Sequence, residues 1–133
     1  MTDAAFRSWI QTLPSCITGR GDWIEQFGER RNEACHVRRA KTFGTGFKAD
    51  LSCVPLTHLE HDIQTRNGEL ACLMEFLSKG EIRRLFYGKL YEERVSAAKA
   101  WFDAQAEKYR ARWMRETPEG RKWVESQAIE VTA

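Results

Sequence analysis

The histidines of this 133-residue chain number three, and His36, His58 and His61 all lie in one stretch. Around them run Glu33-Ala-Cys-His-Val-Arg-Arg39, a glycine-bearing Phe43-Gly-Thr-Gly-Phe-Lys48, and Val54-Pro-Leu-Thr-His-Leu-Glu-His61. A strand ending in His, a loop, a second strand entering through Pro-Leu, and a helix opening with His make a β-β-α metal arrangement. Such a module can place an imidazole on the strand within reach of a divalent ion held by the helix. The imidazole deprotonates a water, and the ion stabilises the charge developing on a phosphate and its leaving oxygen. Arg38, Arg39, Lys41 and Lys48 could supply the positive charge that holds a phosphodiester backbone, although a solvated basic face reads equally well. The chemistry in view is phosphodiester hydrolysis.

The elements that must position these groups are legible from periodicity. Residues 2–13 read as a helix with Phe6, Trp9, Ile10 and Leu13 on one face, ended by Pro14. Residues 15–54 carry loops rich in glycine, with strands expected at Ala34-Cys-His-Val37 and Ser52-Cys-Val54. Thr57 with Glu60 is a capping box, which predicts a helix from His58 to about Arg66, closed by Asn67-Gly68. Helical pieces follow over 69–78 and 81–87. The strongest helix spans 89–115, with Tyr91, Val95, Ala98, Phe102, Tyr109 and Trp113 on a stripe that reads as core. Thr117-Pro118-Glu119 opens a final short helix, and the tail after Gln127 is expected to fray. The fold class is α+β: a small β-β-α core with an N-terminal helix and a C-terminal helical extension. One domain is expected over 1–133, divided as 1–14, 15–69 and 70–127.

In their order and spacing, several stretches resemble the HNH endonucleases, and more narrowly the small phage and prophage HNH-like proteins related to a recombination-associated nuclease. They are Cys16-Ile-Thr-Gly19, Glu33-Ala-Cys-His-Val-Arg38, Gly44-Thr-Gly-Phe-Lys48, Asp50, Val54-Pro-Leu-Thr57, His61 and Gly68-Glu69. Trp101-Phe-Asp-Ala-Gln-Ala-Glu-Lys-Tyr109 resembles the helix that closes such proteins. The resemblance covers about residues 14–69 plus that helix. It implies His36 as general base, His61 as a metal ligand, and Asp50 near the position of the Asn or Asp that orients the base or assists the metal. Cys35 stands where many HNH enzymes carry a metal-binding His or Asp, and a thiolate there favours zinc over magnesium. The implied cofactor is a divalent ion: Mg, Mn or Zn.

One departure bears on that site. Four residues after His61 the family carries a further His, and this chain has Thr65. A neutral hydroxyl is a poor ligand beside an imidazole, so metal affinity should fall by about tenfold or more. His58 with His61 or Asp62, completed by Cys35 or Cys53, is an alternative zinc set. The plainer reading of His58 is a solvent-facing residue of the first helical turn, and that of His36 a histidine packed on the sheet.

Composition sets the outer bounds. The net charge is +2, which excludes an acidic DNA mimic and lends only weak support to a nucleic-acid binder. No apolar run approaches the roughly 18 residues of a membrane span, and residues 1–7 carry no secretory pattern, so the expected location is cytoplasmic, with no membrane partner. The four cysteines form no C-x-x-C pair, and Cys72 reads as core. Two functions follow. The first is a DNA endonuclease or nickase. The second is a catalytically inactive HNH-fold binding module whose partner is a host protein or nucleoprotein complex. An inhibitor of a host defence nuclease (anti-CRISPR or anti-restriction type) or a recombination accessory would be of that kind. Thr65 and the helical stretch 70–100, which looks like an insertion, motivate the second. A zinc-stabilised DNA-binding protein is less favoured, because its ligand set is incomplete.

Overall fold

The apolar spacing near the N-terminus yields α1 (Thr2–Gln11) in the computed structural model, which describes residues 2–24, 29–37 and 51–132. Phe6 and Ile10 of α1 are fully buried, and Trp9 and Leu13 pack against the same core. The loop that follows is folded around Ser15. Its hydroxyl accepts from the amides of Ile17 (3.0 Å) and Thr18 (3.2 Å), while Gly19, at φ 72°, lets the chain turn back. The buried Asn32 clamps that loop, its Nδ2 donating to the carbonyls of Leu13 (2.8 Å) and Arg20 (2.9 Å).

Strands β1 (Asp22–Ile24) and β2 (Glu29–Arg31) pair antiparallel, a ribbon that the sequence reading did not anticipate. Each has three residues, too few for an alternating apolar pattern to signal a strand. The expected strands do form, as β3 (Glu33–His36) and β4 (Cys53–Leu56), antiparallel from Glu33↔Leu56 to His36↔Cys53. Pro55 lies inside β4 and cannot donate to a ladder. A two-stranded sheet has only edges, so this is tolerated, and the Pro55 carbonyl accepts the Cys16 amide at 3.0 Å. Every residue of β4 is buried, which makes it the floor on which the flanking helices rest.

The capping box forms as expected and opens α2 (His58–Asn67). The Glu60 amide donates to Thr57 Oγ1 (3.2 Å) and the Thr57 amide to the Glu60 carboxylate (3.0 Å). Gly68, at φ 94°, ends α2 and starts α3 (Glu69–Phe76). A Ser78 cap then begins α4 (Lys79–Phe86), followed by the long α5 (Tyr91–Glu116) and by α6 (Pro118–Thr132). The last helix runs to Thr132, past the expected fraying point at Gln127 and longer than the short helix anticipated. The described residues therefore form a mostly helical α+β fold with six helices and two small antiparallel ribbons.

Helix α5 is the spine. Ala98, Phe102, Ala106, Tyr109 and Trp113 recur every three or four residues and are buried. Phe6 meets the Trp113 ring edge-on at 5.4 Å between centroids. The sequence stripe is corrected at its first position: Tyr91 is exposed and Val95 only half-buried, because α5 extends beyond the core at its N-terminal end. Helix α6 folds back on α5 through Thr117, whose hydroxyl donates to the Trp113 carbonyl (2.7 Å) and accepts the Gly120 amide (2.9 Å).

Candidate functional site

The register of the β3–β4 ribbon carries His36 to the end of β3, opposite Cys53. The capping box directs the next helix so that His61 returns toward the same strand. Both side chains line one open cleft of about 660 Å3, whose floor includes Ala34 and whose walls include Gln64, Thr65 and Leu70. Tyr91, Val95 and Lys99 of α5, one helical turn apart from each other, form the far wall. Two histidines separated by a loop and a strand in sequence thus share one concave surface.

Glu33 organises the helix side of that cleft. Its two carboxylate oxygens are each 2.7 Å from a ring nitrogen, Oε2 from His58 Nδ1 and Oε1 from His61 Nδ1. Partial burial works to raise the Glu33 pKa, but the bonds to the two histidines outweigh it and hold the carboxyl below its ordinary range. With Nδ1 engaged, His61 keeps Nε2 as its second nitrogen. A carboxylate behind an imidazole fixes the tautomer and the ring orientation, an arrangement common behind metal-binding histidines. In sequence Glu33 stands within a motif without a visible role: the i, i+3 spacing of His58 and His61 puts both rings on one helix face, but only the β3–β4 register brings Glu33 to them.

His36 has Cys53 Sγ 3.8 Å from its Nδ1. Cys35 is buried beneath the strand, its thiol donating to Gln64 Oε1 at 3.5 Å, and it does not line the cleft. Burial, reinforced by the neighbouring thiols and carboxylates, pushes the Cys35 pKa up to about 12, the opposite of the lowered value that makes a thiolate ligand. Thr65 stands in the cleft wall, one turn after His61. Asp62, the other member of the alternative helix set, is ion-paired with Arg66. Arg38, Arg39, Lys41, Lys48 and Asp50 lie outside the described residues.

Among the described residues no group of three or more His, Cys, Asp or Glu side chains is arranged to hold a metal ion. The donor chemistry fits one ligand, His61, backed by its carboxylate. No family model, no curated protein and no solved structure matches this chain. No helix among the described residues is long and apolar enough to cross a membrane.

A second polar cluster has a structural task. Glu60 is 2% exposed, and its carboxylate accepts from Ser15 Oγ (2.6 Å), Thr18 Oγ1 (2.6 Å) and the Thr57 amide (3.0 Å). It nails the 15–20 loop, which carries the Cys16–Gly19 motif, onto the helix that presents His61. The sequence marks Glu60 as a capping residue, but the two partners 42 and 45 positions away become visible only in three dimensions.

Proposed function

We propose that this chain is a divalent-metal-dependent DNA endonuclease or nickase acting in the cytoplasm, with His36 as the general base. The observation that supports it is the shared cleft, lined both by His36 from a strand and by a carboxylate-backed His61 from the following helix. His36 takes the proton from the attacking water. Glu33 is a positioning residue that holds the His61 ring. Arg38, Arg39, Lys41 and Lys48 bind the phosphates flanking the scissile bond. His61, with Asp50, would hold a divalent ion, which would supply electrophilic stabilisation of the phosphate oxygens; Cys35, buried outside the cleft, takes no part.

The test is nicking of supercoiled plasmid with Mg²⁺, Mn²⁺, Ni²⁺ or Zn²⁺ supplied in turn, comparing the wild type with His36→Ala. Metal-dependent nicking that is lost in the variant is the expected result. Absence of cleavage with every metal, from protein with native circular dichroism, would sink the reading. Thr65 in the cleft wall favours a second reading in that event: an inactive HNH-fold module that binds a host protein or nucleoprotein complex.

A further inference from the structure

The α4–α5 turn displays apolar surface that a simple chain reversal does not need. Tyr87 is 82% exposed, Leu90 75% and Tyr91 72%, the three highest values among the large hydrophobic side chains of the described residues. The turn is braced rather than loose. Gly88 takes φ 75°, Lys89 Nζ donates to the Leu85 carbonyl (2.8 Å), Arg94 Nε donates to the Lys89 carbonyl (2.9 Å), and the Leu90 amide donates to Glu93 (2.8 Å). The rings are therefore held out on a fixed support, with little ordering left to be done when something binds.

The surroundings are basic. Residues 79–99 hold six Lys and Arg against three Glu, a net +3 in a chain whose total is +2. Tyr87 lines a smaller groove with Lys79, Arg83 and Arg94, while Tyr91 and Lys99 stand in the wall of the histidine cleft. Exposed aromatic faces interleaved with cations match a partner that is both anionic and planar. Duplex DNA meets the charge but hides its base faces in the stack. Unpaired bases offer both.

We propose that the α4–α5 turn is a platform for single-stranded DNA, on which bases stack against Tyr87 and Tyr91 while the backbone follows the basic flank into the histidine cleft. The inference rests on the nucleic-acid part of the functional reading and is independent of its catalytic part. It makes the substrate a strand that is unpaired beside the scissile bond.

The experiment is fluorescence anisotropy of the full-length protein with labelled dT20 and with a 20-bp duplex, in EDTA so that no cleavage occurs. The expected result is tighter binding of dT20, weakened at least about fivefold by Tyr87→Ala and by Tyr91→Ala, and retained by Tyr87→Phe and Tyr91→Phe. Replacing Arg83 by Gln should lower the slope of log affinity against log salt by about 0.7. Duplex binding as tight as dT20 binding, or indifference to both alanine substitutions, overturns the proposal. So does the absence of binding to either probe. Tyrosine-sensitive dT20 binding by a protein that nicks nothing leaves the platform standing and removes only the catalytic reading. Nicking without tyrosine sensitivity does the reverse.

Discussion

At the scale of single residues, the cleft depends on how each imidazole is held. Glu33 holds the His61 ring from behind the cleft, so its removal tests positioning. Glu33→Ala is expected to reduce metal-dependent nicking by about 10- to 100-fold and to raise the metal concentration needed for half-maximal activity, while Glu33→Gln, which still accepts one hydrogen bond, should lose less. Thr65 offers the complementary experiment. It lies in the cleft wall one turn beyond His61, so Thr65→His restores an imidazole to the face where the family resemblance expects one. Metal affinity, read by isothermal titration with Mn²⁺ or Zn²⁺, should rise by about tenfold or more. An unchanged affinity would mean that the helix does not turn this position toward a metal. The strand-end His36 and helix-borne His61 were both legible from motif spacing, because a strand-loop-strand-helix order brings such positions together. Glu33 was not, since its role depends on the strand register that places it under two rings.

At the scale of elements, two joints determine where the walls of the cleft and the packed helices sit. Glu60 is shared between the start of α2 and the 15–20 loop, and truncating it leaves two hydroxyls and one amide without their buried acceptor. Glu60→Ala should destabilise the fold by about 3 kcal/mol or more, read by urea unfolding, with Glu60→Gln intermediate. The second joint is Gly120, where α6 crosses α5. A Cβ there would overlap the Trp113 carbonyl and lie 2.8 Å from Met114 Cα, both of them backbone that cannot swing aside. Gly120→Ala should cost about 1–3 kcal/mol. Gly80 in α4 gives the opposite sign, since nothing lies near its Cβ position, and Gly80→Ala should stabilise by up to about 1 kcal/mol. Helix type was readable throughout from period and caps. The short β1–β2 ribbon was missed, and the exposed start of α5 was mistaken for core, because periodicity says which residues share a face but not where the neighbouring element stops.

At the scale of the whole molecule, burial shows itself in ionisation. The Cys72 thiol is pushed up from 9.0 to about 12 by burial, and the Tyr109 phenol from 10.0 to about 12, again chiefly by burial. Between those values the native state keeps protons that the unfolded chain has released, so stability must decline as pH rises. The thermal midpoint should fall steadily from about pH 9 toward pH 12, beginning with the thiol and steepening above pH 10. A midpoint flat across that range would show that these groups are solvated in the folded protein. Cys16 is likewise shifted upward by burial, so native protein at pH 8 should react slowly with a thiol-specific reagent at Cys16 and Cys72, and unfolding in urea should release both.

The sequence by itself determined the local structure: the Thr57–Glu60 capping box, the stop at Gly68, the 26-residue α5, and the order of the strand and helix that carry His36 and His61. These are set by hydrogen bonds and apolar repeats within a few residues, so they can be read along the chain. Only the tertiary structure decided that Glu33 backs two imidazoles, that Glu60 is a buried anchor rather than a simple cap, that Cys35 points into the core, and that Tyr87 and Tyr91 face solvent. Each of these depends on register or on the end of a packing contact between distant segments. A one-residue slip in the β3–β4 pairing would reverse which side chains face the cleft, and nothing local to those residues specifies it.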